Sequence, residues 1–530
     1  MWVVPGLFGH EPWKPDEGYT IGLIADMVET GNWVVPTLTG IPFMEKPPVF
    51  FITAVLFNSI LPDGWLPLHQ IQALTAAFYV LLTLLFCYLA GREVGGKGMG
   101  ICAALGLMGC VGYLIRAHSA ITDTALWCGF AVAVYGMILF SRRAWAGAFW
   151  FGTGTGLAFL AKGFLGPCFI GLPAALLPLF CADRRTFAYF KFLVVAVIFS
   201  SPWLIIWPWA LYNESPHLFN QWLMDNNLGR FLGPEYGYTR LATDGKAWKY
   251  LAMFPWFTLP LWPPALIAWW RKGRSAIGEA AMMYSTLMIV VGMIALSMAD
   301  TRRELYLIPL LIPLAVVACQ AGGKLPGWVD LLLRRIPKVI FCIGCVLVWA
   351  AYFGWRFGFP GALIRLLDKR APGAPVPTDF LIPMVAVAYT VVCLWLLCKS
   401  SLRFRWDWVW GAGITLVWSV SMLLFLPVLD HVKGYYPTFK EMLTHIPNAQ
   451  TAQIDEYHFG ESQRAILNYY FSVRPRMITP GEESGDYLIL WNDKSRPYAP
   501  DASWTLIWEG IRPGERSGLY RLYRNDRNAQ

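Results

Sequence analysis

Acidic and basic residues recur at a few places in this chain where they could do chemistry. Asp16 and Glu17 open the stretch KPDEGYTIGLIADMVETGNWVVP, and Glu45 with Lys46 sits in IPFMEKPPVFF. Asp123 follows in RAHSAITDTALW, with Arg116 across a short turn. Lys162 lies in FLAKGFLG, Arg230 in LGRF, and Arg302, Arg303 and Tyr306 in SMADTRRELYLIP. A carboxylate can take a proton from an attacking hydroxyl. Lysine and arginine can grip a phosphate and stabilise the charge it gains on departure. Two acids and several cations on one face of a membrane are the inventory for handling a lipid phosphate. Plainer roles compete: Asp16 or Asp123 as a helix N-cap, or Lys162 reaching toward lipid headgroups. His118, His217, His431, His445 and His458 show no metal-ligand spacing. The pair CIGC at 342–345 lies inside an apolar run, where packing cysteines are the expected reading.

The elements that must hold these residues are set by composition. Of 530 residues, 56% are hydrophobic and only 15% charged. Soluble domains carry nearer a quarter, so most of the chain belongs in lipid. A formal charge of +9 could point to nucleic acid. Its distribution excludes that reading, because Lys and Arg cluster in short loops between apolar runs, as membrane topology signals do.

A bilayer core takes about 20 apolar residues per helix. That ruler predicts about twelve spans, near 69–91, 98–115, 121–140, 146–161, 165–181, 190–210, 248–270, 277–297, 303–319, 339–356, 381–398 and 407–427. The run at 48–61 is too short to span and reads as an interfacial helix. Basic clusters fall in every second loop: Arg92 and Lys97, Arg142 and Arg143, Arg184 and Arg185, Arg271 and Lys272, Arg334 and Arg335, Arg403 and Arg405. Those loops are cytoplasmic by the positive-inside rule. Residues 1–68, the polar loop 211–247 and the polar region 428–530 are then outside. The chain divides into an outer catalytic loop (1–68), a membrane bundle (69–427) and a small C-terminal α/β domain (428–530). Within that last region helices are expected near 437–445 and 461–471, and strands at 487–491, 505–510 and 518–524. Residues 1–68 have no preceding span to carry them outside, and MWVVPGLFG is too short to serve. The expectation is that Met1 lies late in a first helix whose start is upstream.

The order D-E-x-x-Y, G-x-W-x-x-P, E-K-P-P resembles the first outer loop of GT-C superfamily glycosyltransferases that use polyprenyl-phosphate sugars. The nearest likeness is to the lipid A aminoarabinose transferases, with protein O-mannosyltransferases more distant. Here the motif reads Asp16, Glu17, Tyr19, Gly31, Trp33, Pro36, Glu45, Lys46, Pro47 and Pro48, and the likeness continues to about residue 320. The resemblance implies a thirteen-span bundle with a periplasmic C-terminal α/β domain, in a bacterial inner membrane. It implies an inverting transfer of sugar from an undecaprenyl-phosphate-linked donor to lipid A or another envelope acceptor. Asp16 and Asp123 would be the paired acids, with Glu17 beside them. Lys46, Lys162, Arg230 and Arg302 would surround the donor phosphate, with Arg303 and Tyr306 adjoining. Glu45 resembles a glutamate that binds a divalent metal in that family. The family's Glu-His pair before the Arg-Phe of the long loop is replaced here by Asn226 and Asn227, and Asp300 replaces a lysine. Rival readings are a protein O-glycosyltransferase and a transporter or flippase. Transporters tend to show internal repeats and midplane charges, and the sequence shows no obvious repeat.

Overall fold

The computed structural model describes residues 1–13, 15–228, 248–298, 303–321, 325–376, 378–399, 405–493, 498–515 and 518–526. Residues 1–9 run as turns with Trp2 buried, not as the end of a helix. The chain then forms α1 (Asp16–Thr30), a hairpin of the two-residue strands β1 (Thr37–Leu38) and β2 (Ile41–Pro42), and α2 (Val49–Ile60). With 12 residues, α2 is about 18 Å long, too short to cross a bilayer.

All twelve apolar stretches are helical, in the expected order. Among the described residues seven helices are long and apolar enough to cross a membrane. Two bent pairs raise this to nine: α4 (Lys97–Met108) with α5 (Val111–Ala117), bent by 71°, and Lys249–Phe257 with Trp262–Lys272, bent by 92°. The others fall short of the twelve expected spans for identifiable reasons. The helices α6 (Asp123–Leu139) and α8 (Leu165–Phe180) have only 17 and 16 residues. The glycines of α7 (Ala144–Lys162) dilute its apolar character. The chain is a multi-pass membrane protein. Gly327–Phe357 and Leu381–Cys398 are only 17% buried and present Ile340, Ile343, Leu347, Val387 and Val391 outward. Such a stripe is stable against lipid rather than water.

The centre of the bundle is α6, every residue of which is buried. It locks against α7 through small residues. A Cβ on Gly129 would stand 2.7 Å from the Ala158 nitrogen, one on Gly136 2.2 Å from the Phe151 nitrogen, and one on Gly154 2.4 Å from the Ala133 nitrogen. Only glycine allows this backbone approach, the usual device for packing helices in lipid. The seam fixes one end of α6, carrying Asp123, beside the end of α7, carrying Lys162. Arg142 and Arg143 lie at the opposite end, about 25 Å away.

The last long helix runs Trp406–Lys433 and leads into the C-terminal domain. There a five-stranded sheet has the order β4-β3-β5-β7-β6. Its strands are β3 (Ile454–Tyr457), β4 (Arg476–Met477), β5 (Tyr487–Asp493), β6 (Trp504–Gly510) and β7 (Gly518–Asn525). The helices Tyr436–Leu443 and Glu461–Phe471 fall where the sequence places them, and β3 and β4 are additions. The helix Glu461–Phe471 lies against α1 at close range. A Cβ on Gly18 would meet the Ser462 side chain at 2.8 Å, and one on Gly22 would meet Ala465 at 2.7 Å. Ser462 donates to the Pro15 carbonyl at 2.7 Å, and Asn468 donates to Asp26 at 3.3 Å.

Candidate active site

Asp16 is the first residue of α1, and Asp123 the first residue of α6. Neither side chain caps its helix, so the N-cap reading is overturned for both. Asp16 accepts from the Arg303 guanidinium at 3.0 Å and from the Tyr19 hydroxyl at 3.2 Å. Asp123 accepts a short hydrogen bond from Lys162 and lies 3.8 Å from the Lys46 ammonium. Lys162 also sits over the Tyr306 ring, 4.5 Å from its centre. It is therefore engaged within the site, not extended to lipid. Asp16, Lys46 and Asp123 are all buried. Lys46 and Arg303 each feel both Asp16 and Asp123 electrostatically, so the two acids belong to one cluster.

Burial works against the Lys46 ammonium. The Tyr19 oxygen and the carboxylates of Asp123, Glu45 and Asp16 outweigh it and hold its pKa above the ordinary lysine value. Lys46 is thus a permanent cation. Burial pushes the Tyr19 hydroxyl up, so it stays a proton donor to Asp16. Three cations, Lys46, Lys162 and Arg303, interleave with the carboxylates of Asp16, Asp123 and Glu45, and two lysines straddle one carboxylate. An arriving phosphate can share those lysines with Asp123, forming charge-assisted hydrogen bonds in a place water reaches poorly.

Glu17 does not join the cluster. One carboxylate oxygen accepts from the Trp13 backbone at 2.9 Å and the other from the Ala120 backbone at 2.9 Å. Gln72 ties the same region together, donating to the carbonyls of Glu17 at 3.2 Å and Ala120 at 2.7 Å. Glu17 thus staples the start of α1 to the turn three residues before Asp123. Arg230 and Arg302 lie outside the described residues, as does Asp300.

Glu45 lines a pocket of about 290 Å³ together with Asp16, Tyr19 and Arg303. Among the described residues no three His, Cys, Asp or Glu side chains gather as a metal-ligand set. Asn227 is turned to other work: it donates to the Trp222 carbonyl at 2.8 Å and accepts from the Phe164 backbone at 3.4 Å. The residues around Glu45 do not fit the metal site the resemblance implied, and no step is routed through a metal.

The opposite wall of this pocket comes from the C-terminal domain: Tyr435, Gly460, Glu461, Ser462 and Gln463. Sequence reasoning missed these residues. A glutamate in the first turn of a helix is ordinary, and nothing local reveals that this turn faces residues over 400 positions away.

No family model matches the chain. It is 26% identical over 435 residues to the undecaprenyl phosphate-alpha-4-amino-4-deoxy-L-arabinose arabinosyl transferase 1 of Pseudomonas fluorescens, covering 77% of this chain and 71% of that one. The corresponding transferase of Edwardsiella ictaluri is 27% identical over 341 residues, covering 62% and 58%. The chain thus spans only about three fifths of the length of some of these relatives. Its fold matches the crystal structure of ArnT from Cupriavidus metallidurans bound to undecaprenyl phosphate, with a TM-score of 0.70, 15% identity and coverage of 98% and 95%. The sequence relatives bear out the resemblance to the aminoarabinose transferases, and the structural match bears out the fold class.

Proposed function

We propose that this chain is an inverting glycosyltransferase. It takes a sugar from an undecaprenyl-phosphate-linked donor and passes it to lipid A, or another envelope acceptor, at the periplasmic face of the inner membrane. The observation that carries this reading is the cluster of Asp16, Asp123, Lys46, Lys162 and Arg303 at one end of the bundle. The sequence relatives, named as arabinosyl transferases that use an undecaprenyl phosphate sugar, supply the donor class.

In this reading Lys46 and Lys162 hold the donor phosphate. As the bond from the anomeric carbon to the phosphate oxygen breaks, negative charge grows on that oxygen, and both ammoniums stabilise it more than they did the starting diester. Tyr306 fixes Lys162 from its ring face. Asp16 lies on the sugar side. Both its oxygens already accept hydrogen bonds, from Arg303 and Tyr19, so its role is to orient the acceptor and offset positive charge on the sugar ring. A phosphate acceptor needs no base, and this arrangement suits one. The test is transfer from a polyprenyl-phosphate sugar to lipid A in vesicles by purified Asp16→Asn. The expected outcome is normal membrane insertion with activity lost by about a hundredfold or more, assayed at a temperature where the variant is folded. A fully active Asp16→Asn enzyme overturns the assignment.

A further inference from the structure

Arg303 holds Asp16 at 3.0 Å, yet 43% of its own side chain is exposed, so packing does little to place it. Its backbone has to be fixed instead. The Arg303 carbonyl starts the one-turn 3-10 helix Glu304–Leu307 and accepts from the Tyr306 N–H at 3.1 Å. Buried Leu305 and Leu307 seat that turn in the core. A second donor reaches the same carbonyl from another element: the Tyr250 hydroxyl, at 3.2 Å. Tyr250 is fully buried, in the first turn of the helix Lys249–Phe257. The far end of that helix is locked onto α5. The Val111 N–H donates to the Leu259 carbonyl at 2.9 Å, and the Cys110 thiol donates to the Phe257 carbonyl at 3.2 Å. A Cβ on Gly112 would stand 2.4 Å from the Phe257 ring. From α5 the chain runs directly into the Ala120 turn that Glu17 staples, and then to Asp123. Tyr250 is therefore built on the same frame as Asp123. It reaches the turn that sends Arg303 to Asp16 and Tyr306 to Lys162.

We propose that Tyr250 is a positioning residue for the transfer: its hydroxyl fixes the Arg303 backbone, and through the guanidinium it fixes the direction of Asp16. This inference rests on the glycosyl-transfer reading above. A long arginine side chain has many rotamers, so a small shift at its backbone moves the guanidinium by more. Misplacing a reacting geometry by about 1 Å can cost a hundredfold in rate. Without the hydroxyl, Asp16 would keep its bond from Tyr19 but lose the fixed partner that sets its orientation. Buried tyrosine hydroxyls usually find an acceptor, and many such bonds only support the fold. Tyr189 provides one: it is buried, donates to the Ala174 carbonyl at 2.7 Å, and lies beside Phe140 at the end of α6 away from Asp123. The difference at Tyr250 is its acceptor, the carbonyl of a residue that itself bonds Asp16.

The experiment is a double-mutant cycle on the full chain, with an undecaprenyl-phosphate aminopentose as donor and lipid A vesicles as acceptor. Wild type, Tyr250→Phe, Tyr189→Phe, Arg303→Lys and Tyr250→Phe with Arg303→Lys are compared in kcat/KM and Tm. Each Tyr→Phe change keeps the ring that fills the core and removes one buried hydroxyl, so the two should lose similar Tm. The expected result is that Tyr250→Phe lowers kcat/KM about tenfold, on the order of one hydrogen bond, while Tyr189→Phe changes it less than twofold. Arg303→Lys keeps a cation beside Asp16 and should transfer slowly but measurably. Adding Tyr250→Phe to it should cost less than a further twofold, because residues acting through one contact are not additive. Equal losses in the two Tyr→Phe proteins, no loss in Tyr250→Phe, or a full tenfold loss in the Arg303→Lys background overturns the inference. So does a Tyr250→Phe protein that fails to insert or loses far more Tm than Tyr189→Phe, since that marks a core role. A wild type that transfers no sugar overturns the glycosyltransferase reading itself.

Discussion

Glu17 offers a sharp separation of support from chemistry, because it neighbours Asp16 in sequence yet faces elsewhere. Its two oxygens each accept a backbone N–H at 2.9 Å, from Trp13 and from Ala120. Glu17→Gln keeps the shape but offers one acceptor and one donor where two acceptors are needed. One charge-assisted bond becomes a weaker neutral bond, and the other becomes a donor facing a donor. Hydrogen bonds to charged groups contribute about 1.5–3 kcal/mol each, and leaving a buried donor unpaired costs about 1–3 kcal/mol. The expected loss is therefore about 2–4 kcal/mol, seen as a fall in Tm of a few degrees on the order-of-magnitude relation between the two. Well below the new Tm, the folded enzyme should keep kcat within about tenfold, since no oxygen of Glu17 reaches the cluster. The assay is Tm by intrinsic fluorescence together with sugar transfer at a temperature where both proteins are folded. An unchanged Tm with activity lost as completely as in Asp16→Asn would refute the structural reading and return Glu17 to the catalytic group.

Lys46→Met removes one of two cations from the phosphate end while Lys162 still neutralises Asp123; kcat/KM should fall about 10- to 150-fold, and an unchanged value would exclude Lys46 from donor binding. Gly22→Val places a side chain where even a Cβ would lie 2.6 Å from Leu38 and 2.7 Å from Ala465. Overpacking of about 1–3 kcal/mol should loosen the C-terminal domain, detected as faster limited proteolysis near residue 434. Burial, then the nearby Asp430 charge, raises the Glu11 carboxyl to about 7 from 4.5. A raised carboxyl stabilises the fold fully below about 4.5 and loses that contribution as pH climbs through about 7. The ceiling is ~3 kcal/mol, reduced to about 1–2 kcal/mol by partial exposure. Wild type should therefore lose more Tm than Glu11→Gln between pH 5.5 and pH 8, and parallel curves would remove Glu11 as the cause.

The bundle was readable because lipid imposes a strong rule: backbone groups must be satisfied within each segment, so long apolar runs become helices. The span count was less readable. Length and apolarity miss a span that is short, as α6 and α8 are with 17 and 16 residues, or diluted by glycine, as α7 is. The acids and lysines of the site were also readable, since ionisable groups beside apolar runs are costly and stand out. Their pairing was not. Nothing in RAHSAITDTALW says that Asp123 meets Lys46 and Lys162 while Asp16 meets Arg303. That choice follows from the Gly129, Gly136 and Gly154 seam and from the Glu17 staple, both set by tertiary approach. Glu461 was hidden for the same reason, on a helix whose docking on Gly18 and Gly22 is invisible locally.

In the proposed reaction the pairing decides how charge moves. Had Lys46 and Lys162 bonded Asp16, the phosphate and the sugar would compete for one ion pair. Instead the cluster is divided. Asp123 bonds Lys162 and lies beside Lys46, which the Glu45 charge also offsets, so the two ammoniums stay close together at little cost. Asp16 is held by hydrogen bonds from Arg303 and Tyr19 rather than from the lysines, so in the proposed reaction a phosphate can come and go without breaking them. In the proposed transfer, a diester carrying one negative charge becomes a monoester that carries more. The lysines therefore bind the leaving group more strongly as the reaction proceeds, while Asp16 faces a sugar ring whose positive charge is brief. Each half of the cluster follows the charge on its own side of the breaking bond, which is what transition-state complementarity requires. The small pocket beyond Asp16, closed by a domain anchored on the same helix, then needs only to orient one ring.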